Sequence, residues 1–301
     1  MTTFSERTSY REQLPLALVI GCGDMGTGIA RVLGRTWPLL IADIDAERLE
    51  RTVAQLRHEG FHAQGQTCDI TDRAQVEALA ARLADGPGVK VLAHVAALGN
   101  TPLGWRVVMD VDLVGAHLVA RAVGPHMVRG GVAILISSKG AYMARKSAAI
   151  DALIDDPFQP RFHDRLAEAY GGEPHPIEAY FIAKRGMNRL AEALAVDWAE
   201  NEVRAVSVSP GFIDSTMGRT SGAKLLDDAA QVKVANVPRA EKLAREVPLQ
   251  RHGTLQEVTE VVGFLASDAA SFVTGIDVIV DGGQYAKTRV DARRRGDAPA
   301  G

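Results

Sequence analysis

The chain has 301 residues, 47% hydrophobic and 24% charged, with a formal net charge of −3. That is the balance of an ordinary globular chain in water. It gives no electrostatic reason to expect nucleic acid as a partner, and no apolar run approaches the roughly 20 residues needed to cross a bilayer.

The first predicted element is the apolar, β-branched run LALVIG (16–21), read as a buried strand ending in glycines. A helix opens within GDMGTG, and PLLIAD (38–43) is a second strand. DAERLERTVAQLRHEG (45–60) follows as a helix closed by Gly60. Residues 61–70 read as a weaker third strand. The next helix has Thr71 or Asp72 available as its N-cap. VKVLAHVAA (89–97) is a fourth strand, and a long helical region from about 104 to 129 is stopped by Gly130-Gly131. VAILISS (132–138) is a fifth strand, 177–200 a long helix, and VRAVSVSPG (203–211) a sixth strand. A helix over 254–267 and a last strand in GIDVIVDGG (275–283) complete the pattern.

Alternating strands and helices with long crossovers imply an α/β chain: one domain with a doubly wound, mostly parallel sheet of Rossmann type, helices on both faces. Its core runs from about 14 to 285, between loose tails at 1–13 and 286–301. The second tail carries the basic run Arg293-Arg294-Arg295, read as solvated. Residues 141–176 break the alternation. Two amphipathic stretches interrupted by Pro157 and Pro160 read there as an inserted helical pair. The polar N-terminal stretch lacks a signal-peptide core. Cys22 and Cys68 have no metal-ligand spacing, so a reducing cytoplasm and no metal are expected. Cys22 is either reactive or simply a small residue filling a tight turn.

GCGDMGTG (21–28) fits G-x-G-x-x-G through Gly21, Gly23 and Gly26, between a predicted strand and a predicted helix. Glycines there let the backbone approach a pyrophosphate, which the helix N-terminus attracts. Asp43 stands 22 positions after Gly21, where an acidic residue bonds ribose hydroxyls and repels a 2′-phosphate. The next residue is Ile44, not an arginine. NAD is therefore expected over NADP. A competing reading makes Asp43 or Asp45 the cap of the following helix.

Over residues 14–285 the chain resembles the short-chain dehydrogenases/reductases. GCGDMGTG stands for the family's glycine motif, with Gly21 where Thr is usual. CDI (68–70) matches its adenine-contacting pair, ISSKG (136–140) its serine strand, and YFIAK (180–184) its Tyr-x-x-x-Lys motif. SPGFIDSTM (209–217) matches its nicotinamide-lining segment, and residues 248–283 its C-terminal end. The resemblance implies catalytic roles for Ser138, Tyr180 and Lys184. It implies cofactor contacts from Gly21, Gly23, Asp24, Met25, Gly26, Asp43, Asp69, Ile70, Ala96, Tyr180, Lys184, Pro210, Gly211, Ile213 and Ser215.

Three departures stand out. HVAA (94–97) replaces the usual Asn-Asn-Ala-Gly, with His94 read as structural. Asp112 stands where an Asn completes a proton path through water. It is expected to keep that relay as an acceptor while placing negative charge near Lys184. Ser138 and Tyr180 are 42 positions apart, far more than is usual. A similar inserted region occurs in a bacterial branch resembling 3α-hydroxysteroid dehydrogenase/carbonyl reductase.

The chemistry so implied is hydride transfer between NAD and a secondary alcohol or its ketone. Tyr180 is acid/base, its phenolate stabilised by Lys184, and Ser138 holds the substrate oxygen. Ala141 to Met143, Phe212, Met217 and the stretch near 215–235 are expected to form an apolar wall, hence a hydrophobic substrate such as a steroid or terpenoid alcohol. A non-catalytic nucleotide sensor on the same fold is the alternative of another class. A dehydratase or epimerase would need a longer C-terminal substrate region. By resemblance, a homodimer or homotetramer is expected.

Overall fold

A computed structural model describes residues 14–99, 102–215 and 247–296. In chain order its elements begin with β1 (Leu16–Ile20), α1 (Asp24–Leu33), β2 (Leu39–Asp43) and α2 (Ala46–His58). Next come β3 (Ala63–Thr67), α3 (Arg73–Ala84), β4 (Val89–His94) and α4 (Trp105–Met109). A π turn (Asp110–Val114) leads into α5 (Gly115–Val123), then β5 (Met127–Ile136) and a 3₁₀ turn (Lys139–Met143). The insertion supplies α6 (Ala148–Asp155) and α7 (Phe162–Tyr170), and the long helix α8 (Pro176–Asp197) follows. The chain continues through β6 (Arg204–Pro210), β7 (Ile213–Asp214), β8 (Gly253–Thr254), α9 (Leu255–Ala266), β9 (Asp277–Val280) and α10 (Gln284–Arg295).

Seven strands form one sheet in the order β3-β2-β1-β4-β5-β6-β9, every pair parallel. The apolar runs are near-continuous because each central strand is covered on both faces. Ile29, Leu33, Leu49, Val53, Val258 and Val262 pack from α1, α2 and α9 onto one face. Leu79, Val119, Met187 and Leu190 pack from α3, α5 and α8 onto the other. Strand order reverses between β1 and β4, the switch point at which ligands bind outside the carboxyl ends of such sheets.

Local signals explain the helix boundaries. Asp45, not Asp43, caps α2, its carboxylate accepting from Arg48 N at 3.0 Å. Asp72, not Thr71, caps α3. Pro176 opens α8 behind a capping box formed by His175 and Glu178. Two expectations need correction. Gly130-Gly131 lies inside β5, which begins at Met127; the preceding helical run ends at His126, and Gly130 takes φ +70 where the strand register shifts. The segment after Gly283, expected as a loose tail, is helical to Arg295, with Asp281 Oδ2 accepting from Tyr285 N at 2.6 Å in its first turn.

The insertion forms a third apolar cluster. Ile150, Leu153, Ile154, Phe162 and Leu166 pack on α4 and on the first half of α8. Arg185 of α8 holds Asp151 of α6 in a two-bond fork (2.9 and 2.7 Å), and Arg189 holds Asp155 likewise.

Candidate active site

The glycine loop follows from the close contact of β1 with α1. Gly21 takes φ +94 and lies against Ala96, the residue that follows β4 by two. A Cβ on Gly26 would stand 1.9 Å from the Gly21 carbonyl oxygen, whereas a Cβ on Gly23 would meet nothing within 4 Å. Gly23 is also the N-cap of α1 and offers no side chain to its first N–H groups. That donor set beside open space fits a dinucleotide pyrophosphate. Asp24 and Met25 form the first turn of α1.

Asp43 ends β2 with 7% exposure. Its Oδ2 accepts from Cys22 N at 2.7 Å, and its Oδ1 from Asp45 N at 2.9 Å and Arg48 Nη2 at 2.7 Å. Burial pushes the carboxyl up, but Arg48 and the two N–H groups outweigh it and hold it below the usual carboxylate range. Sequence reasoning looked for a cation at position 44. Arg48 comes instead from the first turn of α2, five residues after Asp43, where the helix turns it back over β2. Burial, then the Asp43 charge, pushes the Cys22 thiol up to about 11, which favours the packing reading over a reactive one. Asp69 and Ile70 follow β3: Asp69 Oδ1 accepts from Thr71 N at 2.9 Å, and Ile70 is buried.

At the carboxyl ends of β4, β5 and β6 the other predicted residues converge. Ser138 follows β5 by two residues, and its Oγ accepts from Gly140 N at 3.1 Å. The 3₁₀ turn after it lies so close to α8 that a Cβ on Gly140 would stand 2.7 Å from the Phe181 ring. The Ser138 hydroxyl lies near enough to the Tyr180 phenol to favour its ionised form. The insertion therefore leaves after Ser138, packs on the outside of α8 and returns before Tyr180, without separating them. Ser137 went unremarked in the sequence. Its buried Oγ donates to Lys184 O at 2.9 Å, while Lys184 Nζ donates to Ile136 O at 3.1 Å. This reciprocal pair of bonds fixes the register of α8 on β5. Alternation along the strand end sends Ser137 to the helix and leaves Ser138 at the phenol.

Lys184 Nζ is 5.6 Å from the Tyr180 ring centroid and 3.8 Å from Asp112 Oδ2. Both Lys184 and Asp112 are buried, at 2% and 0% exposure. Asp112 is the middle residue of the π turn; its Oδ1 accepts from Leu98 N at 2.7 Å. Burial pushes the Asp112 carboxyl up and the Lys184 amine down, and their mutual attraction opposes both shifts. Burial pushes the Tyr180 phenol up to about 12, with Ser138 opposing the rise and Asp112 adding to it. His94, read as structural, is 1% exposed with both ring nitrogens lacking a partner, and burial pushes it down to about 3.

Pro210 ends β6, and Gly211 N donates to Val280 O at 2.9 Å. A Cβ on Gly211 would collide with Asp281. Ile213 pairs with Gly253 in a short second sheet, and Ser215 is buried beside it. Of the expected substrate wall, Ala141 is buried and Met143 half-exposed, but Tyr142 is tied to Asp277 of β9 by a 2.6 Å bond. Phe212 has Lys139 Nζ 4.3 Å from its ring and the His252 ring 6.2 Å away. Met217 and the rest of 216–235 lie outside the described residues. Among the described residues no cluster of His, Cys, Asp or Glu could hold a metal ion, and no helix is long and apolar enough to cross a membrane.

Residues 15–150 match the model of the short chain dehydrogenases, and residues 167–284 match a second model described as enoyl-(acyl carrier protein) reductase. Galactitol 2-dehydrogenase of Rhizobium johnstonii is 29% identical over 85% of this chain and 92% of its own. D-threitol dehydrogenase of Mycolicibacterium smegmatis is 26% identical over 92% and 95%. An actinorhodin polyketide ketoreductase solved with NADPH superposes with a TM-score of 0.68 at 23% identity, covering 91% of this chain and 98% of that one. With two adjoining models spanning nearly the whole sheet, the chain belongs to the short-chain dehydrogenase/reductase family, oxidoreductases that use a nicotinamide cofactor on CH–OH groups.

Proposed function

We propose that this protein interconverts a secondary alcohol and its ketone with NAD(H), Tyr180 acting as acid/base. The observation that carries this reading is the contact of Ser138 with the Tyr180 phenol, one helical turn from buried Lys184. The bound nicotinamide would supply or accept the hydride. The chain's own residues do the rest. Ser138 donates a hydrogen bond to the substrate oxygen, which orients the carbon. Tyr180 exchanges the hydroxyl proton with that oxygen. Lys184, anchored to Ile136 O, stays one turn from the phenol. Tyr180→Phe is expected to fold and bind cofactor but lose turnover by about 10³-fold; turnover near wild type sinks the assignment and favours the nucleotide-sensor alternative.

NAD is preferred over NADP in this reading because Asp43 holds a buried negative charge at the end of β2. Arg48 tempers that preference, since its guanidinium lies where a 2′-phosphate would seek a cation. Side-by-side kcat/KM values for the two cofactors decide it; a preference for NADP overturns the NAD reading.

For the substrate, buried Ala141 and half-exposed Met143 support a hydrophobic alcohol, with steroid or terpenoid alcohols as its narrower form. A second reading, a polyol, is favoured by Lys139 and His252 near Phe212 and by the relatives named for galactitol and D-threitol. A spectrophotometric panel of both alcohol classes separates them. We also infer a homodimer or homotetramer in the cytoplasm. Exposed Phe264, Phe272 and Ile276, the last adjoining edge strand β9, support self-association. Light scattering that finds only monomer overturns it.

A further inference from the structure

Asp112 brings an ionisable carboxyl to a place where the family pattern has an amide. Its Oδ1 is held by Leu98 N at 2.7 Å, so the carboxylate cannot turn away. Its Oδ2 has no hydrogen-bond partner among the described residues and stands 3.8 Å from Lys184 Nζ. Neither group reaches water. At that distance and burial the two charges act on their surroundings as one neutral unit, wherever their shared proton rests. An ammonium whose charge is cancelled no longer favours a phenolate one turn away.

The other groups around the pair do not restore the missing positive charge. His94 projects from β4 onto the same sheet face as Leu92 and Leu135, and burial keeps its imidazole neutral. His117 of α5, beyond it, is likewise pushed down by burial and by Arg121, although Asp155 and Asp156 act in the opposite sense. Ser138 from the end of β5 carries no charge. On α8 itself, Arg185 turns outward to Asp151.

We propose that Asp112 cancels the charge of Lys184 and so keeps Tyr180 in its proton-donor form through neutral pH, confining alcohol oxidation to alkaline solution while carbonyl reduction runs at neutrality. The inference rests on Tyr180 being the acid/base group. In the reductive direction the carbonyl carbon gains a hydride from the reduced nicotinamide and the oxygen gains the Tyr180 proton. One alcohol, one oxidised cofactor and one phenolate result, and the phenolate recovers its proton from solvent. In the oxidative direction the phenolate must form first, and Asp112 makes that costly. Asp112 touches neither substrate nor phenol in this scheme. It is a positioning residue for charge, acting through Lys184.

The test has two readouts. One is the ultraviolet difference titration of the Tyr180 phenolate in the protein without cofactor, assigned by subtracting the Tyr180→Phe variant. The other is the pH dependence of kcat/KM for oxidation in the holoenzyme. Asp112→Asn keeps the acceptor for Leu98 N and removes the charge. Both readouts are expected to move to lower pH by at least about one unit, a tenfold gain in the phenolate-to-phenol ratio at fixed pH. Asp112→Ser, a smaller uncharged acceptor, is expected to move them the same way. Variants that titrate with the wild type, in either readout, overturn the proposal. A Tyr180→Phe enzyme that still turns over would instead overturn the functional reading beneath it, so the two failures are distinguishable.

Discussion

Gly26 has no room for a side chain. The Cβ of Gly26→Ala would stand 1.9 Å from a carbonyl oxygen that the turn itself fixes, so the loop or α1 must shift. Such overpacking costs about 1–3 kcal/mol, and cofactor affinity is expected to fall at least about tenfold, roughly 1.4 kcal/mol, as read by fluorescence titration with NADH. Unchanged binding would show that the loop is not the cofactor cradle. The cysteines allow an independent check on burial. Cys22 and Cys68 are both pushed up to about 11, by burial first and by neighbouring carboxylates second. A raised thiol pKa leaves little thiolate near pH 8. Alkylation followed by mass spectrometry is expected to spare both in the native protein and to modify both in denaturant. The glycine spacing and Tyr180–Lys184 were legible in sequence because each has a fixed local period. The Asp43–Arg48 contact was not, since it depends on how the first turn of α2 folds back over β2.

Helix α8 works on two faces. Inward it presents Tyr180, Lys184 and the apolar residues that pack on β5 and β6; outward it carries Arg185 and Arg189 to the insertion. Asp151 and Arg185 are about one-fifth exposed, so their fork lies between surface and buried pairs. Loss of the pair in Asp151→Asn is expected to cost about 1 kcal/mol near neutral pH, measured by urea unfolding. Arg185 holds the Asp151 carboxyl below its ordinary value. The contribution is therefore full above the unfolded carboxylate range and is lost as pH falls through the folded pKa. A deficit independent of pH would assign the effect to packing. The insertion was legible as two amphipathic stretches broken by prolines. Its docking site was not, because the Arg–Asp forks join positions 34 residues apart. The π turn also escaped notice: one extra residue per turn leaves the apolar spacing almost unchanged, yet it sets where Asp112 points.

At the scale of the whole molecule, the parallel sheet followed from apolar runs at crossover spacing, and its strand order needed the coordinates. Its burial of two histidines has a cost in acid. His94 is pushed down to about 3 and His117 to about 4, chiefly by burial, against about 6.5 in an unfolded chain. The unfolded state thus binds more protons between these values, so stability falls as pH drops below about 6.5. Each histidine contributes a slope approaching about 1.4 kcal/mol per pH unit. Denaturant midpoints at pH 7.5 and 5 are expected to differ accordingly, and His117→Leu is expected to flatten the dependence by about half. An equal slope in that variant would place the acid sensitivity elsewhere. Lys184 and Arg185 are neighbours in sequence, one facing the phenol and the other gripping α6. A body that pulls on the insertion therefore loads the same backbone segment that carries the amine.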